Sequence, residues 1–256
     1  MLLCIDIGNT NTVFGVFDSN ILLAEFRVES NLHHTADEYG VKFLELFRYN
    51  GLNPHQIDGV IIASVVPSLD TIYDRMIKKY FRIAPLFVGP GIKTGIKIKT
   101  DNPKQLGADI LVGAVASLNK YGAPFIIVDM GTAITLFYVN ADKELIGGII
   151  TPGIRTSYLG LFSKTSKLEE VKFDNPPNII GKDTITCIQS GMIFGTASLI
   201  DGLIRKMKKE CGDDSKAIIT GGEAATIKDF LEEEVVYDEN LLLDGLRIIF
   251  QKNKTT

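Results

Sequence analysis

LCIDIGNTNTVFGVFD, residues 3–18, places an apolar run ahead of Asp6 and Gly8 and an alternating run behind them. Its counterpart is IIVDMGTAITLFYVNA, residues 126–141. At one constant offset Asp6 coincides with Asp129, Gly8 with Gly131, Thr12 with Thr135, Phe14 with Phe137 and Val16 with Val139. Each copy reads as a buried strand, an Asp-x-Gly turn and a second strand of period two, so the chain is read as a duplication. A second echo supports this. Residues 60–69 are an apolar strand running into Ser-x-x-Pro-type turn residues and a helix carrying Leu69, Ile72, Met76 and Tyr80. Residues 217–226 are an apolar strand running into Gly221-Gly222, then a helical segment with Ile227, Phe230 and Leu231.

Helices are expected between these strands. Thr35-Ala36-Asp37-Glu38 is a capping-box pattern ahead of Tyr39, Phe43, Leu44 and Phe47, with Gly51 as the stop. Asn102-Pro103 predicts an N-cap and a first helical proline, with one helix running through Leu106, Ile110, Leu111, Ala114 and Leu118 to Gly122. Further helices are expected over about 190–210 and 240–251. Strands alternating with helices make the class α/β. The boundary falls at residues 121–124, giving domains of 1–122 and 123–256.

Composition excludes several classes of partner. With 45% hydrophobic and 23% charged residues among 256, the chain has the balance of a folded globular protein and not of a disordered one. A formal charge of −4 provides no broad basic footprint, so no nucleic-acid partner is expected, although a local basic pocket remains open. The opening residues lack a basic n-region, and the longest apolar-rich stretch, Ile110 to Leu118, falls short of a bilayer span. No membrane partner is expected, and a cytoplasmic location is the default. Cys4, Cys187 and Cys211 are scattered without metal or disulfide spacing, and His33, His34 and His55 sit among polar residues without a partner pattern. GxxxxGK[ST], GxGxxG after a strand and GxSxG are all missing.

An Asp-x-Gly turn at a strand end brings a carboxylate able to hold hydrated Mg²⁺ together with backbone N–H groups that can approach a phosphate. One such turn is common in ordinary hairpins. Two in duplicated halves, followed by Gly221-Gly222-Glu223 as a third close-approach point, point to a nucleotide.

These residues carry a resemblance. Asp6–Thr12, Asp129–Thr135 and Thr220–Ala224 resemble the phosphate-1, phosphate-2 and adenosine motifs of the acetate and sugar kinase/Hsc70/actin superfamily. Within it the chain resembles type III pantothenate kinase essentially end to end. The telling pieces are Asp6-Ile-Gly-Asn-Thr10, Asn102-Pro103 leading to Leu106-Gly-Ala-Asp109, Gly147-Gly-x-x-x-Pro-Gly153, and Ile180-Gly-Lys-Asp-Thr184 before Gln189-Ser-Gly191. The resemblance implies two ribonuclease-H-like (actin-like ATPase) domains with a nucleotide cleft between them. It implies phosphorylation of pantothenate by ATP, the first step of coenzyme A synthesis, in a homodimer whose active site lies at the subunit interface. Mg²⁺ and a monovalent cation, K⁺ or NH₄⁺, would be the cofactors.

By the same resemblance Asp109 is the general base for the substrate hydroxyl, among the substrate-binding residues Gly107, Ala108, Asp109, Ile110 and Thr184. Asp6 holds Mg²⁺ through water, and Asp6, Ile7, Gly8, Asn9, Thr10, Asn11, Thr12, Val13 and Thr132 bind ATP. Asp129 is the monovalent-cation ligand. On the residues alone, Asp109 fits a solvent-facing helix stripe as well as a base, and Thr184 fits a helix cap or turn. Two positions depart from the family pattern: Ile110 stands where many relatives have Arg, and no aromatic residue lies near Thr100. An anionic substrate then needs another cation, for which Lys104 and Arg155 are the candidates. A different small-molecule kinase, a non-catalytic ATP-binding accessory or regulatory protein, and an actin-like filament protein are the competing readings. The dimer contact is expected over residues 154–173.

Overall fold

The computed structural model describes residues 1–165, 168, 170–212 and 215–254. It divides into two compact units, one of residues 1–96, 101–120 and 240–256, the other of 97–100 and 121–239.

In the first unit β1 (Leu2–Ile7), β2 (Asn11–Asp18) and β3 (Ile21–Glu29) form an antiparallel meander. Then come α1 (Ala36–Tyr49), β4 (Gly59–Ser64), α2 (Pro67–Tyr80), β5 (Leu86–Phe87) and α3 (Ala108–Tyr121). The sheet order is β3-β2-β1-β4-β5, with β1, β4 and β5 parallel. Central β1 is buried on both faces, which is why it reads as an unbroken apolar run up to Asp6. On one face Leu3, Ile5, Ile7 and Phe14 pack with Phe43 and Tyr73 of α1 and α2. The α1 capping box forms as expected, Thr35 Oγ1 accepting the Glu38 N–H and Glu38 Oε2 accepting the Thr35 N–H. Tyr39, Phe43 and Phe47, four residues apart, are its buried stripe.

The other face explains a departure from the expected halves. The C-terminal helix Leu241–Asn253, placed by sequence with 123–256, belongs to the first unit. Glycines make room for it. A Cβ on Gly15 of β2 would lie 2.9 Å from Leu243 Cδ1, and one on Gly59 would collide with the Phe250 ring. Gly245 in turn lets the helix meet the Val112 backbone of α3.

In the second unit β7 (Phe125–Met130), β8 (Ala133–Val139) and β9 (Glu144–Pro152) repeat the meander, with β6 (Lys97–Ile98) added at the β9 edge. The chain continues through α4 (Ile154–Lys164), α5 (Thr184–Ser190), a π-helical turn at 191–195, α6 (Thr196–Cys211), β10 (Lys216–Thr220), α7 (Ala224–Ile227) and β11 (Val235–Tyr237). The sheet order is β11-β10-β7-β8-β9-β6, with β7, β10 and β11 parallel. Without β6 this is the first sheet again, so the α/β duplication holds at the level of topology.

The residue equivalences need one correction. Ile7 pairs with Thr12 across the first turn, whereas Met130 pairs with Ile134 across the second. The second turn is therefore one residue shorter. Each meander also has a bulge, between Val16 and Phe17 in one and between Tyr138 and Val139 in the other. Beyond the turn Phe14 thus corresponds to Leu136, Val16 to Tyr138, and Gly15 to Phe137. Burial agrees, because Phe14 and Leu136 are in the two cores, whereas Phe137 points to the opposite face from Leu136. The coincidences of Thr12, Phe14 and Val16 with Thr135, Phe137 and Val139 are not structural equivalences; those of Asp6 and Gly8 with Asp129 and Gly131 are.

The small-residue helix begins earlier than its sequence suggests. α5, the π turn and α6 run as one 28-residue helix, Thr184–Cys211, apolar and long enough to cross a membrane by length and composition. It exceeds the Ile110–Leu118 stretch singled out by sequence. Its apolar side has a protein partner, since Ile188, Ile193, Ala197, Ile200 and Ile204 lie in the core of the second unit. Midway along it Asp201 is buried, its two oxygens accepting the Glu232 and Glu233 N–H groups at 3.0 Å each.

Candidate active site

Asp6 is the penultimate residue of β1 at the centre of the first sheet, flanked by Val13 of β2 and Ala63 of β4. The chain then turns through residues 8–11, with the Gly8 N–H donating to the Asn11 carbonyl at 3.1 Å. A Cβ on Gly8 would sit 2.9 Å from that oxygen, so the turn needs glycine there. Asn9, Thr10 and Asn11 are exposed, and Asp6, Gly8 and Val13 half-buried. Ile7 and Thr12, expected in the same set, have fully buried side chains. Thr12 Oγ1 is hydrogen-bonded to Ser30 Oγ at 2.9 Å. What these two can present to a ligand is backbone.

Gly107, Ala108, Asp109 and Ile110 lie where α3 begins, and here the sequence expectation of one helix from Asn102 fails. Pro103–Gln105 is a separate 3₁₀ turn, Asn102 makes no side-chain cap, and Leu106 is extended at φ −66°, ψ 126°. The reason is the Asp109 carboxylate, which folds back over the helix start. Its Oδ1 accepts the Ile110 N–H at 2.8 Å and fills the space a Cβ on Gly107 would need. Asp109 is therefore in the first turn of α3, half-buried, not on a mid-helix solvent stripe. Burial pushes its carboxyl above the usual carboxylate range, against the lowering effect of the Ile110 and Asp109 N–H groups.

In the second unit Asp129, the penultimate residue of β7, lies between Thr135 and Thr220. The Thr132 carbonyl, in the adjoining turn, accepts the Gly153 N–H at 3.0 Å and the Thr156 hydroxyl at 2.7 Å, which ties the start of α4 to the turn. Gly221, after β10, has φ +99°; a Cβ there would lie 2.5 Å from Met130 N and O and 2.6 Å from Asp129 Oδ1. The Glu223 N–H reaches the Met130 carbonyl at 3.4 Å. Its carboxylate accepts from Arg155 Nε at 3.1 Å. Burial raises the Glu223 carboxyl above its ordinary range; Arg155 and the Ile154 N–H oppose the shift. Asp129, Thr132 and the Gly221–Glu223 turn are thus brought together within one unit.

Thr184 lies in the same unit, at the start of α5. The N-cap of α5 is Asp183, whose Oδ1 accepts the Thr186 N–H at 2.8 Å and whose carboxyl that bond holds below the usual range. Thr184 is the next residue, exposed, and lines a cavity of about 560 Å³ with Tyr158, Leu161, Lys182, Asp183 and Cys187. Lys182 lies in the Ile180–Thr184 motif and Tyr158 in the expected dimer stretch, but the sequence marks neither as lining a site; only the helix start beside them is legible, from the Asp183-x-x-Thr186 capping pattern. Lys104 is exposed on the 3₁₀ turn, and Thr100 Oγ1 is buried without a hydrogen-bond partner among the described residues. The expected dimer stretch 154–173 includes 166, 167 and 169, which lie outside the described residues.

Chemically, strand-end carboxylates beside glycine turns suit a polyphosphate and its hydrated cation, and the collision a Gly221 Cβ would meet marks a close backbone approach. A family model for type III pantothenate kinase matches residues 2–206. The chain belongs to this family. Solved structures share the fold. A conserved putative Baf family transcriptional activator from Campylobacter jejuni is similar at 19% identity and TM-score 0.58, with 98% of each chain covered. The activator of 2-hydroxyisocaproyl-CoA dehydratase from Clostridium difficile, solved with bound ADPNP, is similar at 13% identity and TM-score 0.53, covering 99% of this chain and 96% of that one. An inorganic polyphosphate/ATP-glucomannokinase from Arthrobacter sp. strain KM is similar at 16% identity and TM-score 0.53, covering 98% and 99%. Membership in the family makes the protein a kinase of the actin-like ATPase superfamily, whose kinases use ATP and Mg²⁺.

Proposed function

We propose that the protein transfers the γ-phosphoryl group of ATP to the primary alcohol of pantothenate, giving 4′-phosphopantothenate and ADP. The observation that carries this is the Asp109 carboxyl at the start of α3, half-buried, oriented by the Ile110 N–H and raised in pKa, inside a chain matched by the family model. Phosphoryl transfer mostly needs positioning, charge neutralisation and a base for the attacking hydroxyl. Asp109 takes the hydroxyl proton. The turn at 8–11 wraps the phosphates through backbone N–H groups and the side chains of Asn9, Thr10 and Asn11. Asp6 would hold Mg²⁺ through water, Thr132 would contact ATP, and Asp129 would ligate K⁺ or NH₄⁺; Mg²⁺ when bound supplies neutralisation of the developing phosphate charge.

Thr184 would meet pantothenate across a homodimer interface in a cytoplasmic enzyme. Ile180 and Ile185, 77% and 56% exposed beside the Thr184 cavity, support a covered surface there. A second reading, a nucleotide-binding regulator, is favoured by the name of the Campylobacter jejuni relative and by Ile110.

ADP release from MgATP decides between them, measured with and without pantothenate in potassium, ammonium and sodium buffers. Pantothenate-dependent turnover, lost by roughly 100-fold or more in Asp109→Asn with ATP still bound, is expected. ATP binding without turnover supports the regulator instead. The pH dependence has a defined sign. The acid limb of kcat/KM lies above the ordinary carboxylate pKa, because only ionised Asp109 accepts the proton. For stability, a raised carboxyl pKa means the folded state binds more protons, so this group's contribution falls as pH rises from the unfolded value through the folded one. Asp109→Asn therefore raises the Tm at neutral pH while removing turnover.

A further inference from the structure

Arg155 sits in the first turn of α4, on the segment tied to the Thr132 carbonyl by the Gly153 N–H and the Thr156 hydroxyl. Its Nε donates to Glu223 Oε1, and Glu223 belongs to the turn in which Gly221 abuts Met130 and Asp129. Arg155 thus links the two turns of the second unit, its guanidinium bonded to Glu223 and its backbone lying between the two residues that hold the Thr132 carbonyl. The anchoring is one-sided. The Glu223 side chain is 13% exposed and that of Arg155 73%, and among the described residues nothing bonds its two Nη groups. A carboxylate that served only to neutralise the arginine could use the Nη fork; here only Nε is engaged, and a guanidinium fork is the group that pairs with phosphate oxygens two at a time. The chain has a formal charge of −4 and an isoleucine at 110, so an anionic ligand must find its cation elsewhere.

We propose that Arg155 recognises a phosphate group of the bound nucleotide through its Nη groups, and that Glu223 is the positioning residue that aims it. This rests on the kinase reading only for nucleotide binding, not for pantothenate.

The test is calorimetric titration of the full chain with MgATP, MgADP and adenosine, without pantothenate. Arg155→Ala weakens both nucleotides by roughly tenfold or more and leaves adenosine unchanged. Arg155→Lys, which keeps the charge and loses the fork, falls between. Glu223→Gln weakens MgATP in the presence of Arg155 and adds nothing in the double variant, whereas a merely structural glutamate would add its loss to that of Arg155→Ala. Unaltered MgATP affinity in Arg155→Ala overturns the proposal, as does an equal loss of adenosine. A raised KM for pantothenate with nucleotide affinity intact overturns it too, by assigning the guanidinium to the acceptor. Turnover with a different acceptor in the wild-type chain would sink the pantothenate reading alone.

Discussion

The hairpins β1–β2 and β7–β8 begin with the same Asp-x-Gly and differ in the length of the turn and in the chain packed behind it. The first turn has one residue more and exposes Asn9, Thr10 and Asn11. Behind its strand the end of β4 supplies Ser64, opposite Ile7. In the second hairpin Gly221 stands at the equivalent place, so close to Met130 that no side chain fits, while α4 braces the turn through Thr132. One hairpin thus offers side-chain donors on an open loop, and the other offers backbone held rigid from behind. The opposite sheet face diverged as well: Gly15 admits Leu243 of the C-terminal helix where the second unit has Phe137. A duplicated element can keep its signature at the strand end and still assign each copy different work.

The register itself gives the largest test. Phe14 is fully buried and stacked on Phe43 at 3.9 Å between ring centroids. Phe14→Ala is expected to cost about 4 kcal/mol, and Leu136→Ala and Phe137→Ala about 3 kcal/mol each, in urea unfolding. A smaller loss at Phe14 than at Leu136 would break the equivalence of the two core positions in packing. Next, Gly221→Ala is expected to destabilise by about 3 kcal/mol, combining an unfavourable positive φ with backbone overlap, and to weaken MgATP binding. A neutral outcome would remove the distinction between the backbone-backed and the open hairpin. The smallest effects separate the two turn glycines by sign. Gly8→Ala loses about 1 kcal/mol because its Cβ meets Asn11 O at 2.9 Å. Gly131→Ala, whose nearest contact is 3.7 Å, gains about 0.5 kcal/mol by restricting the unfolded chain. Thermal melts of the two variants measure that difference.

The strands, the duplication and the α1 cap were legible because local periodicity and capping chemistry determine them. A one-residue difference in turn length was not, since five coincident letters look the same whether or not the register has slipped. Asn102-Pro103 has the letters of a helix start, yet the carboxylate of Asp109, six residues after Pro103, places the start at Ala108. That choice depends on a hydrogen bond and on an absent Cβ at Gly107, neither of which has a periodic signature. Likewise Asp6, Asp109, Asp129 and Thr184 each stand in a local motif, but the Glu223–Arg155 pair joins positions 68 residues apart that no spacing rule connects. The C-terminal helix is apolar along one side in sequence; which sheet it covers is written in Gly15 and Gly59, far upstream.

That last arrangement has a consequence for biosynthesis. Domains commonly acquire structure in the order in which they leave the ribosome. Here every residue of the second unit emerges before residues 241–253, while the first sheet waits with Gly15 and Gly59 uncovered for the helix that carries Leu243 and Phe250. The half that is translated first is therefore the half that is finished last, and its apolar sheet face is the surface a nascent chain of this protein must keep from aggregating.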